Sequence, residues 1–185
     1  MTTALLVMDF QNGIVDRFDA TSALANAVSA ADAARAASIP VLFVRVAFRP
    51  GHPEIASSNL GFGRIADTAG ETMTESAHGT QIHPALSPRA DEPVVTKRRV
   101  SAFTGSDLEV LLRGLAADHL VLAGISTSGV VLSTLRQAAD LDHRITVLAD
   151  ACADRRQDVH DLLMEAVFPN QATVTTTADW VASLS

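Results

Sequence analysis

The sequence predicts an α/β fold, a three-layer α/β/α sandwich built on a six-stranded parallel sheet. Two observations carry this. Apolar runs of strand length alternate with segments of helical period along most of the chain, which is the pattern of parallel strands joined by helical crossovers. The runs themselves, such as 4-ALLVMD-9 and 144-RITVLAD-150, are almost continuously apolar, as strands covered on both faces must be. With 185 residues the chain can bury a substantial core, and 1–185 reads as one domain.

The first strand is 4–9. An Ala-rich segment follows at 22–39, with Leu24, Ala27, Val28 and Ala31 at helical spacing. It delivers the chain to a second strand, 40–46, completing one βαβ unit. The stretch 47–92 differs: it holds Pro50, Pro53, Pro84 and Pro88 and three of the six histidines, and has no sustained period. A connection this long in a compact domain is expected to be a functional lid or a contact between subunits, with room for a short helix at 71–75.

Regular structure resumes in the strand 93–97. The helix 106–117 is announced by Thr104-Gly105-Ser106 and by Asp107 and Glu109 in its first turn. The strand 119–125, helix 131–141, strand 144–150, helix 156–168 and strand 171–177 complete the six strands.

Composition excludes several classes of function. The formal net charge of −7 repels a phosphate backbone, and the longest basic run is Lys97-Arg98-Arg99, so nucleic acid is not an expected partner. The N-terminus, MTTALLVMDF, lacks the basic region of a signal peptide, and no apolar run approaches the ~20 residues of a membrane span. A soluble cytoplasmic protein acting on a small molecule is expected. The single cysteine, Cys152, excludes an intrachain disulfide and a thiolate metal cluster. His52, His78 and His83 share the long loop without the spacing of a metal site. No metal and no cofactor are expected.

In open α/β sheets ligands collect outside the carboxyl ends of the strands, so the residues that close apolar runs are the informative ones. Asp9 closes the first strand, where a partly buried carboxylate must find a partner or shift its pKa; it could equally cap the turn 9-DFQNGI-14. Lys97 closes the third and could pair with Asp9, or be a solvated head of the basic triplet. Asp150 closes the fifth. The turn 124-GISTSG-129 packs small residues before a helix, so its backbone N–H groups could cradle an anion. It is not a dinucleotide fingerprint. Cys152 is expected to be a small buried hydrophobe. Arg45, Arg49, Arg64 and Arg89, in or near the long loop, are candidates to hold a carboxylate.

Taken together, 5-LLVMDFQNG-13, 95-VTKRRVSAFTGSDLEVLLRG-114, 121-VLAGISTSGVVLSTLRQAADL-141 and 146-TVLADACAD-154 resemble the isochorismatase-like hydrolases, also called the cysteine hydrolase superfamily. The resemblance covers most of the chain and is poorest over 47–92. It implies the sandwich fold, assembly as dimers or tetramers, and a catalytic centre of Asp, Lys and Cys, with Asp9 and Lys97 in the first two roles. It also implies a non-proline cis peptide at Ile125–Ser126, and an oxyanion turn formed by Ser126, Thr127, Gly129 and Val130. Gln11 and Phe48 are further candidates for the substrate pocket.

The family's Cys position falls on Val130, which has no lone pair and forms no thioester. True isochorismatases also lack the Cys, carrying Gly there, and hydrolyse a vinyl ether with the Asp protonating carbon. Three readings follow: a hydrolase that needs no nucleophilic side chain, with Asp9 as general acid or base; a binding protein that keeps the pocket without the chemistry; and an amidase-type hydrolase using another nucleophile, such as Cys152.

Overall fold

A computed structural model describes residues 2–184. Six parallel strands form one sheet in the order β3-β2-β1-β4-β5-β6: β1 (Thr2–Met8), β2 (Val41–Val46), β3 (Val94–Lys97), β4 (Ala117–Ile125), β5 (Arg144–Ala153) and β6 (Thr173–Thr175). The α/β sandwich expected from the alternating pattern is the observed fold. β1 lies between β2 and β4, and Ala4 to Met8 are fully buried. Leu6 and Met8 enter the core on one face, Leu5 and Val7 the core on the other, which is the period-2 alternation of a strand covered on both sides.

The helices are α1 (Asn12–Phe18), α2 (Thr21–Ala36), α3 (Leu60–Thr68), α4 (Leu108–Gly114), α5 (Leu132–Asp140), α6 (Gln157–Leu162) and α7 (Thr177–Ala182). One layer is dominated by α2, whose buried stripe is Ala23, Leu24, Ala27, Ala30, Ala31 and Ala34, joined by Trp180 of α7. The opposite layer brings Leu108 and Leu112 of α4 and Leu135 and Ala138 of α5 against the sheet.

Several elements depart from their expected bounds. α1 and α7 are short and have no sustained apolar period in the sequence to mark them. α2 stops at Ala36, with Ser38 in a left-handed conformation at φ 58°. The last strand is cut short because Asp150 Oδ1 accepts from both the backbone N–H and the hydroxyl of Thr177, at 2.7 Å each, and so fixes the start of α7. Asp150 therefore does not close its strand; β5 runs on to Ala153. Between Leu122↔Val147 and Gly124↔Cys152, β4 advances by two residues and β5 by five. That bulge is what carries Asp154 and Arg155 toward the end of β4.

The 47–92 stretch is more ordered than its composition suggests. α3 occupies 60–68, capped by Asn59, whose side chain accepts from Phe62 N–H at 2.9 Å. Where a helix was expected near 71–75, there is only the short 3₁₀ turn Gly70–Met73. The loop is tied back to the sheet by Gln11, as described below. Among the described residues no helix is long and apolar enough to cross a membrane.

Candidate active site

The strand order turns around at β1 and β4, and their carboxyl ends form the crevice where open α/β sheets bind ligands. A cavity of about 530 Å³ lies there. Asp9, Lys97, Ile125, Ser126, Gly129 and Val130 all line it, so residues from the ends of β1, β3 and β4 meet in one place.

Asp9 follows β1 directly and is itself left-handed, at φ 59°, a conformation Asp tolerates better than most residues. Its N–H donates to Val44 O at 2.8 Å and its carbonyl accepts from Gln11 N–H at 2.8 Å, so the backbone kink is fully bonded. The side chain is buried. Oδ2 pairs with Lys97 Nζ at 2.9 Å, while Oδ1 has no hydrogen-bond partner among the described residues. Burial raises the Asp9 pKa above the usual carboxylate range, and the charge and hydrogen bond of Lys97 oppose that rise without cancelling it.

Lys97 reaches Asp9 from two strands away, across β2, a gap of about 10 Å between strand axes that only a long side chain can span. Its residue is 2 % exposed, and Nζ also donates to Arg99 O at 3.0 Å. The solvated reading of the basic triplet is thereby overturned. Arg98 donates to Ala47 O and Glu75, and Arg99 to Glu54 O, so the triplet fastens the long loop to the end of β3.

The turn after β4 is a π-helical segment, Thr127–Val131, entered through a cis Ile125–Ser126 peptide. The N–H of Ser128 donates to Asp154 Oδ2 at 2.7 Å, and the N–H groups of Gly129 and Val131 to Ser126 O at 3.2 Å. Those three donors are therefore occupied within the protein. Thr127 does not line the cavity; its hydroxyl is 2.8 Å from His160 Nδ1, which anchors the turn to α6. Gly129 is tightly placed, since a Cβ there would stand 2.6 Å from Ser126 Oγ.

The other candidates divide. Gln11 lines the cavity, but its amide is held by the backbone: Nε2 donates to Val46 O and Thr80 O, and Oε1 accepts from Val46 N–H. It joins β2 to the long loop. Phe48 is not a lining residue; its ring is fully buried and meets Phe62 edge-on at 5.6 Å. Phe62 and Ile65 of α3, with Met73 beyond it, form the wall instead. Cys152 is outside the cavity lining, packed in the core opposite Gly124, and burial pushes its thiol up to about 12. The lining contains no cysteine. Of the loop arginines, none lines it; Arg45 is held by Thr96 and Gln81, and Arg49 by Glu54. The arginines that do are Arg17 at the end of α1 and Arg155 beyond β5.

A strand-end carboxylate and a buried lysine thus meet at the sheet crevice of this α/β fold, and comparison with known proteins gives the class. The chain belongs to the isochorismatase family of hydrolases: residues 3–179 match the isochorismatase domain. It is 32 % identical to the isochorismatase family protein YecD of Escherichia coli, over 94 % of this chain and 91 % of that protein. To the ureidoacrylate amidohydrolase RutB of Pseudomonas syringae it is 35 % identical, over 80 % of this chain and 69 % of that one. A solved isochorismatase family protein from Burkholderia thailandensis superposes with a TM-score of 0.86 at 30 % identity, covering 99 % of this chain and 95 % of the other.

Proposed function

We propose that this protein hydrolyses a small molecule without forming a covalent bond to it, with Asp9 as general acid and base, Lys97 as the group that holds its carboxyl, and water as the nucleophile. The observation that carries this is Asp9 Oδ1, a carboxyl oxygen without a partner among the described residues, in a cavity whose lining offers no thiol. Val130 occupies the position that the family resemblance gives to the nucleophile, and it presents an apolar wall that helps keep the carboxyl dehydrated.

A vinyl ether fits these groups. Protonated Asp9 delivers its proton to the terminal alkene carbon, and the electron pair of the ether oxygen stabilises the resulting oxocarbenium ion. Water adds at the oxygen-bearing carbon of that ion and returns a proton to the Asp9 carboxylate; the hemiketal then collapses to a carbonyl and an alcohol. The raised pKa of Asp9 suits the acid role. An amide, the bond class of the ureidoacrylate relative, would instead need Asp9 to act first as a base toward water.

The test is a pH–rate profile on a panel of vinyl ethers, amides and small esters. With Asp9 as the acid, kcat/KM falls as pH rises through its pKa, and Asp9→Asn lowers turnover by about 10²–10⁴-fold. Intact-mass analysis during turnover should find no adduct. Undiminished turnover in Asp9→Asn, or a covalent adduct, would overturn the proposal; ligand binding with no turnover across the panel would favour a binding protein.

A further inference from the structure

We propose that the cavity selects a small organic carboxylate with an apolar body, the carboxylate held at the mouth by Arg17 and Arg155 and the uncharged reactive end placed against Asp9. The chain as a whole carries a net charge of −7, yet the ionisable residues lining this cavity are one acid, Asp9, and three bases, Arg17, Lys97 and Arg155. Asp9 and Lys97 are paired with each other. Two guanidinium groups are left over, so the cavity is positive inside an acidic protein, an arrangement that concentrates anions.

Both arginines are exposed and both are free to bind. Among the described residues neither enters an ion pair, and neither side chain donates a hydrogen bond. The acid next to Arg155, Asp154, is turned toward Ser128 N–H. Asp16 and Asp19 flank Arg17 but do not line the cavity. The Arg155 guanidinium carbon stands 4.9 Å from the Phe18 ring centroid. Contact with a ring face leaves the N–H edge of a guanidinium available for bidentate binding of a carboxylate. Phe18 belongs to α1, as Arg17 does, so this contact draws two cations from distant parts of the chain to one rim.

Between rim and floor the walls are Ile14, Phe62, Ile65, Met73 and Val130, which suit an apolar body and give a second charge nothing to pair with. The inference uses the proposed function only in taking Asp9 as the reactive end; carboxylate binding at the rim is a separate claim.

Titration calorimetry with 3-phenylpropanoate and 3-phenylpropanamide, which share a shape and differ in charge, tests it. The acid should bind about 10- to 100-fold more tightly than the amide, as charge-assisted hydrogen bonds allow, and the preference should shrink with added salt. Arg17→Gln/Arg155→Gln should erase the preference while leaving amide affinity and melting temperature in place. Equal affinities in the wild type, no binding of the acid at millimolar concentration, or a preference that survives in the double variant would each overturn it. Asp9→Asn separates the two proposals: the carboxylate preference should persist there although turnover is lost. A preference without turnover of any substrate would count against the catalytic reading alone.

Discussion

Lys97→Met removes the ammonium 2.9 Å from Asp9 Oδ2 and leaves an apolar chain of similar length in a site that is 2 % exposed. Both influences that lower the Asp9 pKa come from Lys97, its charge and its hydrogen bond. Without them desolvation acts alone, and the folded-state pKa climbs further above the unfolded value. A carboxyl whose folded pKa is raised contributes stability that is fully present below the unfolded pKa, near 3.9, and is lost as pH rises through the folded pKa. The variant should therefore lie close to the wild type at about pH 5 and fall away toward about pH 8. Removing one partner of a buried pair costs about 3–5 kcal/mol, capped by the cost of protonating Asp9 instead, about 1.4 kcal/mol per pH unit above its unfolded-state pKa. At about 2–4 °C per kcal/mol for a chain of this size, the gap in Tm should reach roughly 6–20 °C at the alkaline end. Thermal unfolding followed by circular dichroism across this range measures it. The reasoning fails if the gap does not change with pH, or if the same trend survives in an Asp9→Asn background.

Other expectations concern the seam and the turn. Gly124→Ala would place a Cβ 3.0 Å from Val131 Cγ2 and 3.2 Å from Met8 O, overpacking the β1–β4 seam by about 1–3 kcal/mol; Gly114→Ala, with nothing within 4 Å, should instead stabilise by about 0.4–1 kcal/mol. Equal Tm shifts for the two would show the seam to be looser than its distances. Cys152, buried and with its thiol up at about 12, should resist thiol reagents until the protein unfolds, and Cys152→Ala should retain turnover; loss of activity with the fold intact would bring covalent chemistry back. Asp154→Ala frees the Ser128 N–H and should cost about 1–2 kcal/mol. It should lower turnover without moving the pH profile, since Asp9 and Lys97 are untouched; a shifted profile would tie Asp154 to the titrating group.

What could be read from the sequence was whatever depended on neighbours along the chain. β1, β4 and most of β5 were legible because their runs are apolar at consecutive positions, and Asp9 and Lys97 because they interrupt such runs. α1 was not: 12-NGIVDRF-18 makes fewer than two turns and packs by a close approach of Gly13 to Gly79, a residue 66 positions away. α3 left a faint signal, Asn59 as cap with Phe62 and Ile65 three apart, but Gly61 and Gly63 lower its helical propensity. The rim arginines were hidden for the same reason. Arg17 lies on the unread helix, Arg155 is delivered by the bulge in β5, and neither fact has a local sequence pattern. Arg45 and Arg49 stand in or beside the loop, where Thr96, Gln81 and Glu54 already hold them.

Whether the Asp9–Lys97 pair serves the fold or the chemistry can be decided by removing both members. Asp9 combines a left-handed backbone, a buried carboxyl with a raised pKa and an oxygen without a partner among the described residues, each unfavourable for folding. The neighbouring strands hold it in place: β1 is bonded to β2 on one side and β4 on the other through Met8. Well-packed apolar residues in place of a buried pair are commonly neutral or stabilising, by up to about 4 kcal/mol, whereas removing one partner alone leaves an uncompensated buried charge. Asp9→Asn/Lys97→Met, which keeps at position 9 a residue that tolerates the left-handed backbone and removes both charges, should be more stable than Lys97→Met alone near neutral pH, and inactive. In a double-mutant cycle that result assigns the pair to function at the expense of stability. A double variant as unstable as the worse single one would instead make the pair a structural element, and its position on the cavity would then no longer support a role in hydrolysis.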